Sequence, residues 1–127
     1  MTVSAEEFLE SAISLSSNPV EISARNSISR SYYSVYHQSF AVAEEYFPDP
    51  NAHIAMGEHA RLRERYLCWL SFPKHKSVGY ILQAMKLERQ KSDYSISAVT
   101  VTQSEALAQI ENAKRLVGLL GVGKAEL

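Results

Sequence analysis

Residues 30–37 combine an arginine and a histidine whose spacing would let them act together on a phosphate group. Arg30 and His37 are seven residues apart, nearly two helical turns, so on an α-helix they would share one face about 10.5 Å apart along the axis. An arginine fork matches phosphate oxygens, and a histidine exchanges protons near neutral pH. Metal-independent phosphodiester cleavage needs both: His37 would move a proton and Arg30 would hold the developing charge. Tyr33 and Ser34 lie between them as candidate supporting residues.

A second candidate group lies near residue 90. Arg89 and Asp93 are four residues apart and can form an ordinary helical ion pair, while Tyr94 can pack against the helix that carries Arg30. Alternatively, Arg89 supplements the phosphate site, or Asp93 orients that helix. Either functional role predicts a contact between this group and the helix of the Arg30 and His37 pair.

Hydrophobic periodicity predicts that helices position all of these residues. It predicts five helices, over about 5–16, 19–46, 52–71, 78–91 and 103–120. Capping boxes mark the start of the first and the last helix, and Asn18 followed by proline marks the start of the second helix. Gly121 is expected to end the last helix. Residues 94–101 alternate like a strand but have no partner strand, which favours an extended connector.

This pattern predicts the fold class. It indicates a single all-α domain over residues 1–127, an up-and-down bundle of about five helices. One long central helix carries the Arg/His motif, and its apolar stripe includes Tyr32 and Tyr36, which we expect in the core.

Composition excludes several classes of protein. The 127 residues include one cysteine, Cys68, too few for a disulfide framework or a Cys-rich zinc site. His53 and His59 would lie on different helix faces, and His75 has no ligand spacing to them. We therefore expect no metal and no cofactor. The chain has no apolar run of membrane-spanning length, and its start lacks signal-peptide features, so we expect a cytoplasmic protein without membrane contact.

Charge is unevenly distributed along the chain, although the net charge is only −1. Residues 1–50 contain two basic and seven acidic side chains, a balance of −5, whereas residues 61–91 contain eight basic and two acidic, a balance of +6. The basic segment could face a polyanion or could simply be a solvated surface. The same two interpretations apply to Lys74, His75 and Lys76, which are predicted to lie in a loop.

Residues 23–37, together with Arg89, Asp93 and Tyr94 and the capped last helix, resemble the HEPN family (higher eukaryotes and prokaryotes nucleotide-binding domain). The shared core is Ser-Arg-x-Tyr-Tyr-x-x-[Phe/Tyr]-His, which stands here at residues 29–37. The resemblance covers nearly the whole chain and implies an all-α bundle, often a two-fold dimer. In such dimers an Arg-x(4–6)-His motif from both protomers forms a composite endoribonuclease site, and six residues separate Arg30 from His37.

The resemblance also implies a biological context. Many members act as toxins or anti-invader effectors, frequently beside a minimal nucleotidyltransferase that serves as antitoxin. The leading hypothesis is therefore a homodimeric ribonuclease with an RNA substrate. The alternative is a non-catalytic helical module that dimerises or binds a nucleotidyltransferase or a nucleotide. The small Ser31 after Arg30 and the near-neutral charge favour that alternative.

Overall fold

The computed structural model describes residues 2–47, 49 and 57–127, and within these ranges the chain forms five α-helices and no β-strand. The helices are α1 (Ala5–Ser16), α2 (Glu21–Tyr46), α3 (Glu58–Leu67), α4 (His75–Tyr94) and α5 (Gln103–Ala125). Helix α2 is the longest and packs against each of the other four. The predicted all-α bundle around one long central helix is confirmed.

The core forms around the apolar stripe of α2. Tyr32 and Tyr36 are buried, as predicted, whereas Phe40 at the edge of the stripe is 41% exposed. Large side chains from the other helices and from the turn after α3 complete the main core cluster, among them Leu62, Tyr66, Trp69, Phe72, Leu82, Met85 and Leu116. This packing fixes which face of α2 turns outward, and that outward face carries Arg30 and His37.

The start of α1 is confirmed and that of α2 is displaced. The Ser4 hydroxyl accepts from the Glu7 amide, and the Glu7 carboxylate accepts from the Ser4 amide, both at 3.2 Å. Asn18 does not cap α2, because its side chain accepts from the Val20 amide at 3.1 Å and closes a turn before the helix. Helix α2 therefore begins at Glu21 rather than at residue 19.

Helices α3 and α4 differ from their predicted bounds. The part of the predicted third helix at 52–56 lies outside the described residues, and α3 ends at Leu67, before the turns of residues 68–74. Helix α4 begins at His75, after Lys74 in the left-handed conformation. His75 and Lys76 are therefore the first residues of a helix, which corrects the loop predicted for them. The loop predicted after α2 lies mostly outside the described residues.

The segment before α5 agrees with the prediction, whereas the end of α5 does not. Residues 95–102 form no regular element, and residues 96–98 make a turn. The Thr102 hydroxyl accepts from the Glu105 amide at 3.2 Å, which confirms the N-cap, but the second hydrogen bond of the predicted capping box is not formed, and the Glu105 carboxylate pairs with Lys91 instead. Helix α5 continues through Gly121 to Ala125, so the predicted end at Gly121 is wrong. Packing of Leu120 and Gly123 in the interior offsets the helix penalty of a glycine, about 1 kcal/mol.

Two buried arginines fix the ends of helices around the site. The Arg25 guanidinium donates to the carbonyl oxygens of Ser92 at 2.9 Å and Val99 at 2.6 Å, which ties the end of α4 to α2. Arg65 on α3 donates to the Glu44 carboxylate at 2.7 Å and holds α3 against the last turns of α2. Among the described residues, none of these helices is long and apolar enough to cross a membrane.

Candidate functional site

Arg30 and His37 lie on the same exposed face of α2, as the spacing predicts. Tyr33 is half-buried between them, and its ring stacks on the His37 imidazole with 6.3 Å between the ring centroids. Both polar side chains are therefore available to a ligand, with an aromatic ring between them. Of the predicted site residues, these three are brought together on one surface.

Helix α1 borders this face on one side. The Phe8 ring lies 5.6 Å from the His37 ring, measured between centroids, and Phe8 also lines a cavity of about 190 Å³ with Glu7 and Arg30. A second cavity, of about 400 Å³, lies beside His37 and includes Glu6. The α1 side of the site therefore carries carboxylates.

Ser34 does not share the exposed face. It is buried, and its hydroxyl donates to the Ala5 carbonyl at 2.7 Å, so it holds the start of α1 against α2. Ser31 is also buried, and its hydroxyl has no hydrogen-bond partner among the described residues. Neither serine is placed to touch a ligand at Arg30 and His37, and Ser34 acts by positioning α1.

Arg89 and Asp93 contact α2, as both functional interpretations of this group predict. Arg89 is 6% exposed, and its guanidinium carbon lies 5.6 Å and 5.5 Å from the ring centroids of Tyr32 and Tyr33. Asp93 pairs with Arg89 at 3.6 Å and accepts a hydrogen bond from Ser29 of α2 at 3.4 Å. Arg89 therefore places a positive charge behind Tyr33.

Tyr94 covers Arg89 from the outside. Its side chain is 74% exposed, and the Arg89 guanidinium carbon lies 5.9 Å from its ring centroid. A cation over an aromatic ring is attracted by the negative face of the ring. Tyr94 thus belongs to the Arg89 cluster rather than to the core.

His59 on α3 joins the site, although the sequence predicted no functional role for it. Its Nδ1 atom lies 2.5 Å from the Tyr32 hydroxyl, and its ring centroid lies 4.4 Å from that of Tyr36. Burial, followed by the charges of Arg89 and Lys86, lowers the pKa of His59 below its usual value. No spacing signal could have found His59, because tertiary packing alone brings α3 to this part of α2.

The basic segment of residues 61–91 is largely neutralised. Five of its basic side chains form an ion pair with an acidic side chain, namely Arg61, Arg63, Arg65, Arg89 and Lys91. Lys74, Lys76 and Lys86 form none within the described ranges. Five of the eight basic side chains of the segment are therefore paired, two of them, Arg65 and Arg89, in the interior, and Lys86 is the lysine of this set whose charge acts on His59.

Within the described part of the chain, no three or more His, Cys, Asp or Glu side chains are grouped to hold a metal ion. No model of a known protein family, no curated protein and no solved structure matches the chain.

Proposed function

We propose that the protein is a metal-independent endoribonuclease of the HEPN type. The observation that carries the proposal is the joint exposure of Arg30 and His37 on one face of α2, with Tyr33 between them. In this reaction His37 moves the proton of the 2′-hydroxyl or of the leaving oxygen, and Arg30 binds the phosphate oxygens as negative charge builds on them.

The proposal includes partners and a setting. The protein acts as a homodimer in which both copies contribute an Arg30 and His37 motif to a composite site. Its substrate is RNA in the cytoplasm, and it serves as the toxin or effector of a toxin-antitoxin or anti-invader system. A minimal nucleotidyltransferase is the proposed antitoxin. A small nucleotidyltransferase encoded next to this chain would support that partner.

The first experiment is cleavage of end-labelled RNA by the purified protein in EDTA. We expect cleavage by the wild type and a loss of at least about 100-fold in Arg30→Ala and in His37→Ala, because each removes a group that acts in the transition state. Arg115→Ala is the matched control, since Arg115 is an exposed arginine that lines neither cavity beside the motif. Equal cleavage by wild type and both motif variants would contradict the proposal.

A second candidate function is a non-catalytic binding module. The outer side of α4 favours it, because Tyr80, Leu87 and Tyr94 follow one another at intervals of seven residues and are all more than half exposed. A stable complex with a nucleotidyltransferase that His37→Ala leaves unchanged, together with intact RNA in the cleavage assay, would favour this function over the first.

A further inference from the structure

One ring nitrogen of His59 forms a hydrogen bond, and the side chain is partly exposed. The Tyr32 hydroxyl contacts Nδ1, and within the described residues the ring makes no other hydrogen bond. Tyr32 is 2% exposed, and burial raises the pKa of its phenol, so the hydroxyl keeps its proton. Because the phenol proton has no other acceptor among the described residues, we assign the hydroxyl as the donor and Nδ1 as the acceptor.

This hydrogen bond determines the tautomer of His59. When Nδ1 accepts, a neutral imidazole carries its proton on Nε2 and can donate only from there. The lowered pKa of His59 keeps the ring neutral near pH 7. His59 thus differs from an acid or base that must change charge, because it offers a fixed N–H donor.

The surroundings of His59 favour an anion as the acceptor. Arg89 and Lys86 on α4 place positive charge beside it. The ring of Tyr33 has centroid distances of 6.3 Å both to His37 and to His59, so the two imidazoles flank one tyrosine. Glu58 is the acidic neighbour on α3, and its carboxylate accepts from the Tyr36 hydroxyl at 3.5 Å.

The opposite side of the site repels an anion. Glu6 and Glu7 lie along α1 next to His37 and Arg30. On the other side of Tyr33, a polyanion bound at Arg30 and His37 meets Arg89 and Lys86 as well as Glu58 and Asp93, so the positive charges of the site lie on the His59 side.

We propose that His59 is a phosphate-binding residue of the same site, donating from Nε2 to a non-bridging phosphate oxygen of the RNA strand, with Tyr32 as the positioning residue that fixes its tautomer. This inference rests on the proposed function for its ligand. It assigns to His59 a role distinct from that of His37, which exchanges a proton.

Two substitutions of His59 separate the functions of its nitrogens. In His59→Asn the shorter side chain places an acceptor near Nδ1, keeps the Tyr32 hydrogen bond and loses the donor at Nε2. In His59→Gln the amide reaches the Nε2 position and keeps the donor, but Tyr32 loses its acceptor.

The two variants have opposite expected results. Removing a hydrogen bond to a charged group lowers kcat/KM for RNA cleavage about 10- to 100-fold in His59→Asn, with a melting temperature near that of the wild type. His59→Gln melts at lower temperature yet cleaves within about fivefold of the wild type when assayed where it is folded. A structural role alone would make cleavage follow stability in both variants, and that result would overturn the proposal.

A measurement without cleavage distinguishes this inference from the proposed function. Long-range ¹⁵N NMR of the wild type at pH 7 should show His59 neutral with its proton on Nε2, and Tyr32→Phe should introduce the other tautomer. A single-stranded DNA oligonucleotide, which lacks the 2′-hydroxyl, should shift the Nε2 signal. If DNA shifts the Nε2 signal but RNA stays intact in the cleavage assay, the proposed nuclease activity is rejected and phosphate binding by His59 is supported. A proton on Nδ1, a doubly protonated ring or an unshifted signal would overturn the inference.

Discussion

At the scale of single residues, Ser31 and Ser34 show how neighbours of one type on one helix can differ in energetic role. Both are buried on α2. Ser34 donates to the Ala5 carbonyl at 2.7 Å, whereas Ser31 has no hydrogen-bond partner among the described residues. A satisfied buried hydroxyl stabilises a fold modestly, and an unsatisfied one carries a desolvation cost. The two serines therefore form a matched pair for testing the placement of α1.

We predict opposite effects of removing the two hydroxyls. Ser34→Ala should lower the free energy of unfolding by about 1 kcal/mol, because the lost hydrogen bond outweighs the gain in helix propensity. Ser31→Ala should raise it by about 0.5 kcal/mol, since alanine favours the helix and no bond is lost. Urea titrations followed by circular dichroism measure both. A larger loss in Ser31→Ala than in Ser34→Ala would contradict this view of α2.

His59 predicts a pH dependence of stability. Its pKa is lowered in the folded protein, mainly by burial and then by Arg89 and Lys86, so folding favours the neutral ring. The associated stability is complete above the unfolded value of 6.5 and is lost as the pH falls through the folded pKa. Denaturant titrations from pH 7.5 to about 5 should show this decline, with a shallower slope in His59→Gln. An equal slope in both proteins would show that His59 does not cause it.

At the scale of elements, Arg25 holds the end of α4. Beyond its bonds to Ser92 and Val99, the guanidinium contacts the carbonyls of Lys91 and Ser95, and its Nε donates to Glu21 at 3.0 Å. Glu21 in turn accepts from the Val101 amide at 3.0 Å. Carbonyls at a helix end need such donors. The pair Glu21 and Arg25 therefore fixes the connector into α5 as well as the segment that carries Arg89.

Arg25→Ala should lower the free energy of unfolding by on the order of 3 kcal/mol, because it leaves several partly buried carbonyls without their donor. Arg115→Ala, at an exposed arginine of α5, should change it by less than about 0.5 kcal/mol. Chemical denaturation of both variants gives the comparison. Similar small losses in the two would indicate that the connector is held by other contacts.

The two glycines near the end of α5 test why the helix continues past Gly121. Nothing lies within 4 Å of a methyl group added at Gly121, whereas one added at Gly123 would overlap the Phe72 ring. We expect Gly121→Ala to stabilise the protein by about 0.5–1 kcal/mol and Gly123→Ala to destabilise it by about 1–3 kcal/mol. Thermal unfolding of the two variants measures the difference. Stabilisation by both would mean that the end of α5 does not pack on Phe72.

At the scale of the whole molecule, the proposed ribonuclease requires two copies of the chain. We predict a particle of twice the 14.2 kDa chain mass by light scattering. If the site is composite, mixing Arg30→Ala with His37→Ala should restore part of the RNA cleavage. In a mixed dimer one chain supplies an intact His37 and the other supplies an intact Arg30. Cleavage of RNA by a monomer would contradict the proposed dimer but would not contradict the proposed chemistry of the motif.

The sequence by itself determined the helices and the face of α2 that carries Arg30 and His37. Those features follow from local periodicity and caps, which act over one or two turns. Helix ends were less predictable, because Asn18 could cap or close a turn, and only packing could carry α5 past Gly121. Tertiary structure alone decided that Ser34 positions α1, that Arg89 lies behind Tyr33 and that His59 joins the site. Each depends on which helix faces α2, and burial of whole side chains sets that arrangement.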